Sequence, residues 1–280
     1  MSLLGRLLGR GASGSAPAVP PGYLIHAVGD VHGRDDLLAD LLGQIEADAA
    51  ARNAERRVLV FLGDLIDRGP ASAQVIERLR SYRPDRTRLV FLCGNHEEVL
   101  LRILAGESAP IRDWLRFGGA QCLESYGVDA GRLKRMEPAQ ALETIRSAIP
   151  AEHVAFLREF DDSFRAGGYL FVHAGIRPGV ALVEQSVLDL RWIREPFLSD
   201  RFDHGFTVVH GHTIRREVEE QGNRIGIDTG AYHHGVLTAI GLAGADRWYL
   251  QAVDPAQPSD QGGKERMDSS VLDGVSSQFG

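Results

Sequence analysis

The sequence predicts an α/β fold built from two packed β-sheets, and three observations carry that reading. Short apolar runs alternate with helical stretches in the first third of the chain, the order expected of parallel crossovers. Further short apolar runs, often bounded by glycine, recur from residue 170 onward. Each early run stops at a polar, glycine-containing signature, as strands do when their C-terminal ends meet on one rim. A length of 280 residues, 44% hydrophobic and 25% charged, suffices for a large core and sets disorder aside as the default class.

Residues 1–10 are basic and partly amphipathic, but glycine and arginine interrupt their apolar runs, so the continuous core of a signal peptide is missing. Leu3, Leu4, Leu7 and Leu8 offer a weak interfacial helix, although a flexible leader is the simpler reading. Residues 11–22, rich in Gly, Ala, Ser and Pro, read as a linker. The expected organisation is a flexible leader over 1–22, one domain over 23–254 and a polar tail over 255–280.

Within the domain, strands are expected at 24–28, 58–62 and 89–92. Between the first two, residues 35–50 carry Leu37, Leu38, Leu41, Leu42 and Ile45 at helical spacing, and residues 71–80 form a shorter helix before the third. Strand, helix, strand, helix, strand is the order of right-handed crossovers. Helices are expected at 97–104 and 139–160, the latter broken at Pro150. Strands at 170–172, 207–209, 224–228, 236–240 and 248–253 are expected to build a second, partly antiparallel sheet. No run approaches 18 apolar residues, which argues against a membrane span.

The formal charge is −7, which argues against nucleic-acid binding driven by overall charge. Two cysteines, Cys93 and Cys122, cannot staple a disulfide scaffold and suit a reducing compartment, so a cytoplasmic location is expected. No GxxxxGK[ST] sequence is present, and the glycines at 29–33 lack dinucleotide-fingerprint spacing.

Chemistry concentrates at the strand ends: GDVHG at 29–33, GDLIDRG at 63–69, GNHE at 94–97, then His173 in VHAG and His212 in GHT. Gly-Asp alone is often only a turn, and a lone histidine is often a bonded core residue. Five strand ends repeating the pattern make coincidence the weaker account. Asp30, His32, Asp64, Asn95, His173 and His212 supply carboxylate, imidazole and amide oxygen donors suited to borderline divalent cations. Six donors exceed one tetrahedral centre, and two ions sharing a carboxylate, most naturally Asp64, fit better. Cys93 ends an apolar run without an evident activating base, so it reads as a buried strand residue rather than a nucleophile. His233 and His234 read as a loop surface near substrate access.

GDVHG, GDLIDRGP and GNHE resemble the three-part signature of the calcineurin-like metallophosphoesterase superfamily, and specifically its bacterial-type protein serine/threonine phosphatase branch. The resemblance runs from Tyr23 to about Asp254 and implies a two-sheet sandwich flanked by helices. It implies that Asp30, His32 and Asp64 hold a first metal and Asp64, Asn95, His173 and His212 a second. Manganese is the implied first choice in vitro, with iron or zinc as alternatives. His96 would protonate the leaving group with Asp67 supporting it, and Arg68 would grip phosphate. A second phosphate-binding arginine is expected at Arg194, after a Leu-X-Trp segment, with Arg191 and Arg201 as competitors.

The resemblance therefore implies a metal-dependent serine/threonine protein phosphatase, acting on a phosphorylated protein or peptide by in-line attack of a metal-bridging hydroxide. Small phosphate esters are further candidate substrates; no nucleic-acid partner and no stable membrane insertion are expected. The alternative enzyme is a symmetrical diadenosine tetraphosphate hydrolase, which would need a base-stacking wall; Trp114, Phe117, Tyr126 and Tyr232 are available for one. The remaining alternative is a non-catalytic metal-dependent binding protein, disfavoured because His96, Asp67 and Arg68 accompany the ligand set.

Overall fold

The computed structural model describes residues 16–256, so the leader-helix leucines and the tail beyond residue 256 lie outside the described residues. Strand β1 (Tyr23–Val28), helix α1 (Asp35–Arg52), strand β2 (Arg56–Phe61), helix α2 (Ser72–Ser81), strand β3 (Thr87–Phe91) and helix α3 (Asn95–Ala105) follow in the expected order. β1 pairs with β2, and β2 with β3, in parallel. Val58 to Phe61 are buried on both faces, which is why β2 reads as a continuous apolar run rather than an alternating one. The five apolar positions predicted for α1 are all buried against this sheet and the neighbouring helices.

The later strands are β4 (Ser163–Ala166), β5 (Tyr169–Val172), β6 (Thr207–His210), β7 (Glu219–Glu220), β8 (Arg224–Gly226), β9 (Val236–Ala243) and β10 (Asp246–Val253). The second sheet has the order β4-β5-β6-β8-β7, with β5, β6 and β8 parallel. The expectation that all late strands join it is corrected: β9 and β10 form a hairpin on the first sheet, whose order is β10-β9-β1-β2-β3. The physical reason lies in β1, whose apolar residues would otherwise face an open edge. β9 covers that edge in antiparallel register, from Leu24 opposite Ala243 to Val28 opposite Ala239. β4 and β7 were not foreseen, since an acidic pair such as Glu219–Glu220 becomes a strand only through pairing with β8.

Ile25, Ala27, Val58, Val60 and Val90 of the first sheet meet Tyr169, Phe171, Val209 and Ile225 of the second in the central core. Helices Pro138–Ala148 and Ala151–Leu157 flank the break at Pro150 and pack with α1, α2 and α3 on the outer face of the first sheet. The end of the expected leader is part of this packing. Val19 is 3% exposed, its N–H donates to Gly244 O at 2.9 Å, and Gly168 N–H donates to Ala18 O at 2.8 Å. No helix among the described residues is long and apolar enough to cross a membrane. Parallel pairing within each sheet brings the C-terminal ends of β1, β2 and β3 to one rim and those of β5, β6 and β8 to another, and the two rims meet.

Candidate metal centre

Asp64, just past β2, is the hub of that rim. Its Oδ2 lies 3.5 Å from Nε2 of His32, and its Oδ1 lies 3.4 Å from Nε2 of His173, so histidines from opposite sheets face one carboxylate. Asn95 Oδ1 lies 3.0 Å from His173 Nε2 and 2.9 Å from His212 Nδ1. Asp30 Oδ2 accepts from the backbone N–H of His212 at 3.0 Å. Two triplets, His32–Asp64–His96 and Asp64–His173–His212, each bring candidate ligand atoms within 4.8 Å of one another, and all five residues are buried.

The chemistry of the donors fits divalent cations. Asp30 Oδ1 and His212 Nε2 are buried with no hydrogen-bond partner among protein atoms, a cost the fold carries beside an oxygen- and nitrogen-rich cluster. Burial pushes the pKa values of His32, His173 and His212 down, and the Arg194 guanidinium adds to the effect on His212; each shift favours the neutral ring, which has a lone pair to offer. Burial opposes the charge on Asp64, but His173, His96, His32 and His212 outweigh it and hold this carboxyl below the usual range.

The backbone is bent to achieve this. His32, Asp64, Asp67, Arg68 and His212 all have φ between 45° and 72°, and only Asn53 and Arg86 share that conformation among the other non-glycine described residues. Each such residue costs about 1–2 kcal/mol, strain that clusters where function resides. Gly63 and Gly94 permit the close approach of the loops after β2 and β3: a Cβ on Gly63 would lie 2.5 Å from Gly94 N, and one on Gly94 would collide with Asp64 Oδ1.

His96, a member of the first triplet, pairs with Asp67. His96 Nδ1 lies 2.6 Å from Asp67 Oδ2, and the same oxygen accepts from Trp114 Nε1 at 2.8 Å. Burial works to lower the His96 pKa, but Asp64 and Asp67 overcome it and raise it. Arg68 donates through its N–H to Gly118 O at 3.1 Å and through Nη1 to the Tyr232 hydroxyl at 2.8 Å, with its guanidinium carbon 4.9 Å from that ring's centroid. Of the three candidate second arginines, Arg191 is bound to Asp162 and Glu98, and Arg201 is exposed and bonded to the carbonyls of Leu198 and Asp200. Arg194 is half-buried, with its charge felt at His212.

Among the four available aromatics, Trp114 is 3% exposed and spent on Asp67, and Tyr126 bonds His153 at 2.9 Å. Phe117 and Tyr232 are half-buried beside Arg68, Phe117 through its neighbour Gly118. Burial pushes the Cys93 thiol up, so no thiolate nucleophile forms there. His233 and His234 contact each other at the surface, with 3.1 Å between their Nδ1 atoms, and join no candidate metal cluster among the described residues.

Two buried carboxylates escaped the sequence reading. Glu97 accepts from four backbone N–H groups, those of Asp64, Leu65, Ile66 and Gly94, at 2.8 to 3.3 Å, tying α3 to the loop after β2. Its position at the third residue of α3 is that of a capping-box glutamate, a signal present in GNHE. Asp228, past β8, is pushed up to about 7, chiefly by burial. Together with the nearby Asp64, burial and the Asp228 carboxyl raise the Asp30 pKa. Asp228-Thr229-Gly230 repeats the strand-end pattern once more, and that repetition was the available signal.

The calcineurin-like phosphoesterase family model matches residues 23–236, and the chain belongs to this family of metal-dependent hydrolases. It is 30% identical over 276 residues to a symmetrical bis(5'-nucleosyl)-tetraphosphatase of Janthinobacterium sp. (strain Marseille), covering 82% of this chain and 96% of that relative. It is 27% identical over 231 residues to the asymmetrical bis(5'-nucleosyl)-tetraphosphatase PrpE of Halalkalibacterium halodurans, covering 76% and 87%. A crystal structure of a protein proposed to be a diadenosine tetraphosphatase superposes with a TM-score of 0.58 at 22% identity, over 86% of this chain and all of the other, and shares the fold. These relatives correct the expectation of a serine/threonine protein phosphatase acting on phosphorylated proteins. The match places the chain in the family, and the signature motifs do not by themselves name the group it serves.

Proposed function

We propose that this chain is a dinucleoside tetraphosphatase that cuts diadenosine tetraphosphate symmetrically, releasing two nucleoside diphosphates. The observation that carries the proposal is the similarity to a symmetrical bis(5'-nucleosyl)-tetraphosphatase over 96% of that relative's length. The half-buried ring of Tyr232 beside Arg68 supports it, because a nucleoside needs a flat apolar surface next to its phosphates and a simple phosphate ester does not.

On this reading, Asp30, His32 and Asp64 would hold one divalent ion and Asp64, Asn95, His173 and His212 a second, with manganese the first choice and iron or zinc the alternatives. Such ions, when bound, supply Lewis acidity toward phosphoryl oxygens and lower the pKa of a coordinated water. Arg68 grips non-bridging phosphoryl oxygens with its planar fork, and Tyr232 fixes that fork by accepting from Nη1. Arg194 supplies a second cation, and two guanidiniums suit a four-phosphate chain better than one monoester. His96, with Nδ1 turned to Asp67, keeps Nε2 for the proton that the departing phosphate takes. A cytoplasmic setting is part of the same reading, supported by two free thiols, Cys93 and Cys122.

Chromatography of the products formed from diadenosine tetraphosphate tests the proposal. ADP as the only nucleotide product is expected. ATP together with AMP would overturn the symmetrical cut, and no turnover with any of the three metals would overturn the substrate class.

A further inference from the structure

At the opposite end of the sandwich from the metal centre, a cavity of about 510 Å³ is lined by five arginines, Arg56, Arg57, Arg86, Arg88 and Arg165. It lies at the N-terminal ends of β2 and β3, about 20 Å along the strands from the rim where Asp64 sits. Strand register explains the concentration. Tyr23 pairs with Arg56 and Val58 pairs with Arg88, so alternation puts Tyr23, Arg56 and Arg88 on the same inward face as Val58, which lies in the inter-sheet core. Inward positions that are valine and isoleucine further along the strands are thus arginine at this mouth.

The cluster lacks the partners such cations usually have. Among the described residues, none of the five arginines has a carboxylate within ion-pair distance, although twelve others do. Only one carboxylate, Glu55, lines the cavity. Arg56 and Arg88 instead lie over aromatic rings, each with its guanidinium carbon 5.4 Å from the centroid, of Tyr23 and Phe164 respectively. In a chain of net charge −7, these largely exposed arginines without carboxylate partners make a local positive field at the cavity that attracts anions.

We infer that this cavity is a second binding site, remote from the metal centre, for a small polyanion carrying a chain of phosphates. Arginine forks match phosphoryl oxygens in pairs, several of them spaced along a cavity suit several phosphates, and the volume is that of a small-molecule site. Tyr23 and Phe164 leave room in the same chemistry for a nucleoside attached to that chain.

Hydrogen–deuterium exchange on the full chain tests the inference, with inorganic tripolyphosphate and ATP as probes and sodium sulfate at equal ionic strength as the control. Both phosphate probes are expected to protect peptides covering residues 55–58, 84–88 and 163–166 where sulfate does not. Equal midpoints for the two probes assign recognition to the phosphates; a lower midpoint for ATP adds the aromatic faces, and either supports the site. In the double variant Arg56→Gln/Arg88→Gln the midpoint is expected to rise by about tenfold or more, while hydrolysis of p-nitrophenyl phosphate stays unchanged and shows that the variant is folded. Arg56→Lys/Arg88→Lys, which keeps charge and loses the forks, is expected to fall between. No protection of these peptides by either probe, or protection that persists unchanged in the glutamine variant, would leave only a solvated rim and overturn the inference.

Discussion

His96 Nδ1 and Asp67 Oδ2 are held 2.6 Å apart in a site where Asp67 is fully buried and its other partner is the Trp114 indole. That pairing turns Nε2 of His96 toward the cluster, 3.9 Å from Asp64 Oδ2, and so sets which nitrogen can serve a leaving group. His96→Asn is expected to keep its metal and lose about 10²–10⁴-fold in turnover on an alkyl phosphate. The loss on diadenosine tetraphosphate is expected to be smaller, because a departing phosphate, with a pKa of about 6, needs protonation less than an alkoxide does. Steady-state rates on both substrates decide it; undiminished alkyl phosphate hydrolysis would remove His96 from the acid role.

Asp64 faces His32 with one oxygen and His173 with the other. Asp64→Ala is therefore expected to empty both halves of the centre rather than one. Elemental analysis of the purified variant, set against wild type and against protein stripped with a chelator, measures this directly. Full metal content in the variant would refute the bridging position.

Glu97 is a prediction that only the structure makes. Glutamine has the same shape but presents an amide NH₂ toward backbone donors that need an acceptor, and each buried donor left unsatisfied costs about 1–3 kcal/mol. Glu97→Gln should lower the melting temperature and loosen metal binding together, while Glu97→Asp, which keeps the carboxylate on a shorter stem, should recover part of both. A variant that melts and loads like wild type would show that the loop after β2 does not depend on this tether.

A pH effect on stability arises far from the site, at His26. This residue is 3% exposed, with Nε2 2.9 Å from Asp48 Oδ2 and its ring edge-on to Trp248. Burial pushes its pKa down, more strongly than the Asp48 hydrogen bond and charge push it up. The folded state thus prefers neutral His26, and the unfolded chain binds the extra proton. Its contribution is complete above the unfolded value of about 6.5 and is lost as pH falls toward the lowered folded value. His26→Gln, which still donates to Asp48 but does not titrate, should flatten the fall in melting temperature between about pH 7 and 5. Parallel curves for the two proteins would reject this assignment.

Local pattern made much of this legible. β1, β2, β3 and α1 announce themselves because both faces of a parallel strand and one stripe of a helix must be apolar, and the strand-end motifs stand where those runs stop. What lay hidden depends on partners distant in the chain. β9 joins β1 because of an edge that sequence alone does not display, Trp114 reaches Asp67 across 47 residues, and Asp228 matters only once β8 sets it near Asp30. Substrate class was illegible for a related reason. The motifs mark the family, whereas Tyr232, which accepts from Arg68, comes from a segment with no recognisable pattern of its own.

The measurement that bears most directly on the account is the ratio of kcat/KM values for diadenosine tetraphosphate and a phosphothreonine peptide, taken on one metal-loaded preparation. The account predicts a preference of about 100-fold or more for the dinucleotide, the equivalent of about 2.7 kcal/mol of transition-state binding supplied by the second phosphate contact and the aromatic walls. Equal values, or a preference for the peptide, would contradict it.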